Sequence, residues 1–282
     1  MKLEAGQVTV VTGGASGIGR AMVDAFAARG LAVVLADVEQ GALDAAVAEV
    51  AATGARAMGA RIDVRRPEEL EALAATVQAE FGRVDVLCNN AGVVTPRAPA
   101  WLQSHADWTW LVDVNLHGVA NGIRAFVPAM VAAGRGHIVN TSSMAGLTTI
   151  PGGGNAAYSA TKHAVVGLSE TLRLDLSLVA PDIGVTVLCP GPVASRIHDA
   201  ARNRPADLAA PEPAESLAPG AQSWMTLTRV SAEEVGAQVV TAVEEGLEYV
   251  VTHPDVLPLA RGRAEHLLEE LSDAVPGGTD PR

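Results

Sequence analysis

Residues Gln7 to Thr12 form a short β-branched run that gives way at once to Gly13-Gly14-Ala15-Ser16-Gly17-Ile18-Gly19 and then to helical sequence from Arg20 to Arg29. A strand, a glycine turn and a helix in that order commit the chain to a βα unit, and the alternation then repeats. A strand from Leu31 to Ala36 precedes a helix from Gly41 to Thr53. A strand from Ala55 to Ile62 precedes a helix from Pro67 to Phe81, with proline in the first turn, where its missing N–H has no helical partner to lose. Strands are expected again at Val84–Cys88, His137–Ser143, Val185–Leu188 and Glu248–Thr252, with late helices over Ser231–Glu245 and Val256–Leu271. Strands separated by helices of this length pair in parallel, so the expected fold class is α/β, a single-domain doubly wound sheet with helices on both faces. The expected domain covers 1–275, followed by a loose tail over 276–282.

Open sheets of this kind bind ligands at the carboxyl ends of their strands. Gly13, Gly17 and Gly19 would let the backbone approach a pyrophosphate, and the helix behind them offers amide donors and a positive dipole end. The same glycines would also serve a plain βα corner. Asp37 closes the second strand roughly 20 residues beyond the last glycine, where a carboxylate can accept from a ribose hydroxyl and would repel a 2'-phosphate. Its alternative is helix capping. Ser16 and Val38 bring no cation to a phosphate there, so the residues read as an NAD site and not an NADP site. Asp63, at the end of the third strand, lies on the same sheet edge.

Tyr158 and Lys162 are four residues apart in Tyr158-Ser159-Ala160-Thr161-Lys162, which places both on one helical face. A cation about 4 Å from a phenol, at an effective dielectric of about 20, favours the phenolate by up to roughly 4 kcal/mol before desolvation is subtracted. The phenol pKa is thereby expected to fall toward working pH, which suits a general acid/base acting on oxygen. A solvated helix face with the same spacing is the bland alternative. Asn115 sits inside an apolar helical pattern, where asparagine is disfavoured unless it has a hydrogen bond to make. Bonding to a neighbouring helix's backbone would satisfy it equally well.

The glycine spacing, T-G-x-x-x-G-x-G through Thr12, Gly13, Gly17 and Gly19, resembles that of the short-chain dehydrogenase/reductase family. So do Asn89-Asn90-Ala91-Gly92, Asn115, the Ser142-Ser143 pair, Tyr158 with Lys162, and the turn Pro190-Gly191-Pro192-Val193-Ala194-Ser195, all in the family's order. The resemblance implies a Rossmann fold and a nicotinamide cofactor. It implies cofactor contacts from Gly13, Ser16, Gly17, Ile18, Gly19, Asp37, Asp63, Val64, Asn89, Ala91, Tyr158, Lys162, Pro190, Gly191, Val193 and Ser195. It further implies that Ser143 orients the substrate oxygen, that Lys162 also holds the nicotinamide ribose, and that Asn115 holds a water passing protons to Lys162. The expected reaction is interconversion of a secondary alcohol and a ketone with NAD. An NADPH-dependent reductase of acyl-carrier thioesters, opposed by Asp37, and a non-catalytic dinucleotide sensor are the rival readings.

Composition narrows the partners. The chain has 282 residues, 49% of them hydrophobic and 18% charged, enough for a sizeable core. A net charge of -12 with no basic cluster argues against nucleic acid. Glu4 falls where a signal peptide would begin its apolar core, and Gly152-Gly153-Gly154 interrupts the uncharged run from Ile138 to Thr161, so neither export nor a membrane span is expected, and the location is expected to be cytoplasmic. Cys88 and Cys189 read as small buried hydrophobes, and the histidines show no ligand spacing, so no metal is expected. Trp101, Trp108 and Trp110 read as core or interface. Residues 196–226, rich in Pro, Ala, Glu and Asp, are expected to form a substrate lid. Leu208, Leu217, Trp224, Met225 and Leu227 within or beside it point to a neutral, fairly apolar small molecule such as a terpenoid, steroid or aryl alcohol. The resemblance implies a homo-oligomer, tetramer or dimer, through the Asn115 and Tyr158 helices.

Overall fold

The computed structural model describes residues 1–150, 152–209 and 228–274. Among the described residues seven strands and eight α-helices follow in the order β1 (Val8–Thr12), α1 (Gly17–Ala28), β2 (Ala32–Asp37), α2 (Gln40–Ala52), β3 (Ala57–Arg61), α3 (Pro67–Phe81), β4 (Val86–Asn89), α4 (His105–Val112), α5 (Gly118–Ala133), β5 (Gly136–Thr141), α6 (Ala156–Val179), β6 (Ile183–Cys189), α7 (Ala232–Glu245), β7 (Tyr249–Val251) and α8 (Val256–Ala274). The strands lie in one parallel sheet in the order β3-β2-β1-β4-β5-β6-β7. The doubly wound α/β fold expected from the alternation is the fold observed.

Period-two alternation sorts the core into two layers. On one face Val8, Val10 and Val34 pack with Leu70 and Val77 of α3, Trp110 of α4, Phe126 and Met130 of α5 and Leu176 of α6. On the other face Val11, Val33 and Leu35 pack with Met22 and Phe26 of α1, Leu43 and Val50 of α2 and Val239 and Val243 of α7. Strands covered on both sides need no polar face, which is why β2 is apolar up to Asp37 and β1 is buried throughout, its two threonines included.

The sheet order reverses between β1 and β4. Helices leave those two strands toward opposite faces, and the gap between them opens a crevice at the strand ends.

Some local features differ from expectation. Trp110 is buried and Trp108 packs partly against the core, but Trp101 is 84% exposed, in a short turn ahead of α4. Between α4 and α5 the helix widens into a π turn over Asp113–His117 that carries Asn115. The first part of the expected lid forms 3-10 turns at Ile197–Asn203 and Ala206–Leu208. Residues 210–226 with Leu217, Trp224 and Met225, together with Leu227 and the expected tail, lie outside the described residues. No helix among those described is long and apolar enough to cross a membrane.

Candidate active site

The crevice is a cleft with a cavity volume of about 200 Å3 that opens to solvent. At one end lies the glycine loop. Gly13 and Gly17 have φ of +65° and +54°, and a Cβ on Gly19 would lie 2.1 Å from the Gly13 carbonyl oxygen, so only glycine closes this turn. Ser16 stands at the N-cap of α1, yet its side chain makes no capping bond. By contrast, α4 and α7 each carry a full capping box, Ser104 with Asp107 and Ser231 with Glu234. The N-terminus of α1 therefore presents amide donors and a positive dipole end to the cleft without a side chain of its own over them, which is the cradle an anionic pyrophosphate needs.

Asp37, at the end of β2, accepts from the amides of Ala15 and Glu39, both at 3.1 Å, and so ties the glycine loop to the following turn. Around it stand paired charges. Glu39 accepts from Arg202 at 2.6 Å and from Asn203 at 2.9 Å, with Arg196 at 3.6 Å. Asp63 is bound by Arg65 at 2.6 Å. The hydrogen bond from Arg202 holds the Glu39 carboxyl below the ordinary value. Each of these guanidiniums is thus engaged with a carboxylate.

The other end is built from the ends of β5 and β6 and the first turns of α6. Lys162 is 3% exposed, and its Nζ donates to the Thr141 carbonyl at 3.0 Å and lies 5.7 Å from the centre of the Tyr158 ring. The expected fall in the phenol pKa is not found. Burial raises the Tyr158 phenol above its ordinary value, with the neighbouring Ser143 hydroxyl pulling the other way. Burial also lowers Lys162 to about 8. Desolvation is the largest cause at both groups, and the ammonium spends a hydrogen bond on the Thr141 carbonyl.

The two serines separate by their partners. Ser142 donates to the Lys162 carbonyl at 2.7 Å and is spent on the helix backbone. The Ser143 hydroxyl accepts from the Ala145 amide at 3.1 Å, donates weakly to the Pro190 carbonyl at 3.5 Å, and adjoins the phenol. Asn115 accepts from the Val93 amide at 2.8 Å and donates to the Val93 carbonyl at 3.0 Å. Its Nδ2 also reaches Thr161 Oγ1 of α6 at 3.4 Å, so the carboxamide of the π turn ties a loop backbone to the Tyr158 helix. A Cβ on Gly92 would lie 3.4 Å from Asn115 Oδ1 and 3.5 Å from Lys162 Nζ, so those two atoms flank one glycine.

Of the residues expected at a cofactor, Gly13, Ser16, Gly17, Ile18, Gly19, Asp37, Asp63, Val64, Ala91, Tyr158, Lys162, Pro190 and Ser195 line the cleft. Asn89 does not. Its Nδ2 donates to Asn140 at 2.9 Å and its Oδ1 packs against Gly122, while its neighbour Asn90 faces the cleft and is held by Thr12 and Thr141. Gly191 and Val193 lie behind the turn, the first against His253 and the second paired with Val230. Reading residues in order misses Glu39, Arg65, Arg196, Arg202 and the lining role of Trp110. Glu39 and Arg202 are 163 positions apart, and nothing local in either stretch marks them as partners.

Residues 7–206 match the family model described as short chain dehydrogenase. The chain belongs to the short chain dehydrogenase family. It is an oxidoreductase of that family, and its relatives bear this out. The chain is 34% identical to a C alpha-dehydrogenase of Sphingobium sp. over 281 residues, spanning 98% of this chain and 88% of the relative. It is 41% identical over 191 residues to the 1-deoxy-11-beta-hydroxypentalenate dehydrogenase of Streptomyces arenae, covering 66% of this chain and 67% of that one. Among solved structures, a short chain dehydrogenase/reductase from Burkholderia phymatum in complex with NAD superposes with a TM-score of 0.90 at 37% identity, covering 100% of this chain and 99% of that one. The described residues thus share the fold of that neighbour.

Both cysteines are buried in strands that lead toward this cleft. Burial pushes the thiols of Cys88 and Cys189 up to about 12, which keeps them protonated and unreactive at neutral pH.

Proposed function

We propose that the dehydrogenase interconverts a secondary alcohol and a ketone with NAD. The observation that carries this reading is the meeting of Tyr158 and Lys162 in the lining at one end of a cleft whose other end is the uncapped glycine loop, with the Ser143 hydroxyl behind that lining and against the phenol. The cofactor, when bound, accepts the hydride from the carbinol carbon or returns it. The glycine loop and α1 would hold its pyrophosphate and Asp37 its adenosine ribose. NAD is favoured over NADP because Asp37 stands where a 2'-phosphate would go, while Arg65, Arg196 and Arg202 are already paired with Asp63 and Glu39.

Tyr158 is protonated at neutral pH as the structure stands, so its hydroxyl is ready to protonate a ketone oxygen during reduction. In the oxidative direction the phenol must first shed that proton. The Lys162 ammonium stabilises the phenolate then, and Asn115, beside the same glycine as Lys162 Nζ, orders the water through which the proton leaves. Ser143 donates to the substrate oxygen as charge develops on it.

Around this end Val93, Trp110, Val114, Ile197 and Ala200 line the cleft, which supports an apolar substrate body. We further infer a homo-oligomer through α6, since Leu174, Leu178 and Val179 are exposed along it. Light scattering at micromolar concentration checks that inference, and a monomer would remove it.

The reaction is tested by measuring NADH formation from NAD with a panel of apolar secondary alcohols. Turnover on members of the panel is expected. NADPH binding tighter than NADH would overturn the cofactor assignment, and NADH binding without turnover on any alcohol or ketone would overturn the reaction.

A further inference from the structure

The turn Pro190-Gly191-Pro192 continues from β6 along the inner wall of the cleft, and it has an unusual deficit. Proline has no amide hydrogen, so Gly191 supplies the one backbone donor of the three residues. The ladder between β6 and β7 ends at Cys189 opposite Val251, so no regular strand pairing holds the turn beyond it. Side chains take over where the ladder stops. The Gly191 amide donates to both Thr252 Oγ1 at 3.3 Å and His253 Nδ1 at 3.2 Å. The Thr252 hydroxyl lies 2.6 Å from the same ring nitrogen, and His253 Nε2 lies 3.1 Å from the Pro192 carbonyl.

These contacts determine the tautomer. Nδ1 must accept and Nε2 must carry the hydrogen donated to Pro192, so a neutral imidazole grips the turn at both sides of Gly191. The ring is fully buried, and a Cβ on Gly191 would lie 2.7 Å from its Cγ, so the glycine is what allows the ring to come so close. At its other side the turn reaches the chemistry. The Pro190 carbonyl accepts from the Met144 amide at 2.8 Å and from the Ser143 hydroxyl, and Pro190 itself lines the cleft.

We propose that His253, backed by Thr252, is a positioning residue that fixes the Pro190-Gly191-Pro192 turn against the nicotinamide half of the cofactor and thereby sets the Ser143 hydroxyl. This rests on the reading of the cleft as a nicotinamide dinucleotide site. His253 touches neither substrate nor reacting atoms; it substitutes for the backbone pairing that two prolines remove.

The experiment compares NADH with ADP-ribose, which carries the adenosine and pyrophosphate but no nicotinamide. NADH is titrated by fluorescence and ADP-ribose by calorimetry. His253→Ala should weaken NADH about tenfold while ADP-ribose stays within about twofold of the unchanged protein. His253→Gln offers an amide acceptor and donor on a flat group and should recover most of the loss. Thr252→Val, which keeps the side-chain volume and removes one hydroxyl, should show the same split at smaller size and serves if His253→Ala does not fold.

Equal weakening of both ligands would mean general loosening and would overturn the proposal, as would NADH affinity unchanged in both His253→Ala and Thr252→Val, or Gln behaving no better than Ala. Failure of the unchanged protein to bind NADH at all would instead remove the cofactor reading beneath it.

Discussion

The two ends of the cleft solve the problem of holding polar groups in opposite ways. At the glycine-loop end, Glu39 and Arg202 are 23% and 22% exposed in their side chains, Asp63 and Arg65 20% and 21%, and each charge is answered by an opposite one across a turn. At the Tyr158 end, Lys162 is 3% exposed, Asn115 and His253 are wholly buried, and the partners are backbone groups. Ion pairs in contact with water are worth little individually, and each partner can be resolvated when the other is removed. Buried groups have no such alternative, and an orphaned one retains the full desolvation penalty. One end is therefore adjustable and the other is rigid, and substitutions should separate the two.

The largest effect is expected at Tyr158. If Tyr158 is the proposed acid/base, Tyr158→Phe removes the hydroxyl that exchanges a proton with the substrate oxygen, and turnover should fall by about a thousandfold or more. NADH affinity should be nearly unchanged, because the phenol hydroxyl acts on the substrate. Initial rates and an NADH titration on the same preparation check both halves, and comparable turnover in the variant would remove Tyr158 as acid/base.

Next comes Lys162, where function and stability oppose each other. Burial lowers its pKa from 10.5 to about 8, so the folded chain releases this proton at lower pH than the unfolded chain does. The unfolded state then binds more protons between those two values, and stability due to this group rises with pH across that window. Below about pH 8 the buried ammonium opposes folding by up to about 3 kcal/mol. Lys162→Met should therefore lose turnover by about a hundredfold or more yet melt no lower than the unchanged protein at pH 7, with any gain shrinking toward pH 10. A clear drop in melting temperature at pH 7 would show that the ammonium's bond to Thr141 is worth more than its desolvation.

The same contrast governs how far each region is legible in the sequence. The glycine loop, Asp37, Ser143, Tyr158 and Lys162 can be found because each serves a short local spacing, a βα corner or a helical face, that one stretch of chain displays in full. The sheet is legible for a similar reason: strands buried on both faces show short runs rich in β-branched and apolar residues. Asn89 reads as a cofactor contact in the sequence, whereas in the structure it is Asn90 that lines the cleft, because two adjacent carboxamides point to opposite sides of a strand end and only the pairing with Asn140 decides which is inside. The pKa of Tyr158 departs from its expected direction because spacing reveals a neighbouring charge but not the shared burial that outweighs it. His253 and the Glu39–Arg202 pair are illegible, because their partners are brought together by β7 and by the turns after β6, far away along the chain.

At the adjustable end, Asp37→Ala should shift the ratio of NADH to NADPH affinity by tens of fold toward NADPH, through loss of a ribose acceptor and of the charge that opposes a 2'-phosphate. Paired titrations of the two cofactors read that ratio directly. An unchanged ratio would show that Asp37 serves the glycine loop, through the Ala15 amide, and not the cofactor.

Glu39→Gln should have the smallest effect and is the sharpest test of the contrast. Glu39 ties Arg202, Asn203 and Arg196 across the adenosine end, and the Arg202 hydrogen bond depresses its carboxyl pKa. A depressed carboxyl contributes above the unfolded value of about 4.3 and loses its contribution as pH falls through the folded one, so the effect of the substitution should be flat across neutral pH and disappear in acid. Exposure reduces the pair to about 1 kcal/mol at most, hence less than about fivefold in NADH affinity at low salt. Near 1 M salt, where the screening length falls to about 3 Å, wild type and variant should coincide. A tenfold loss that persists in high salt would mean that the Ile197–Asn203 turn is held as rigidly as the Pro190 turn is by His253, and the distinction between an adjustable end and a rigid one would fail.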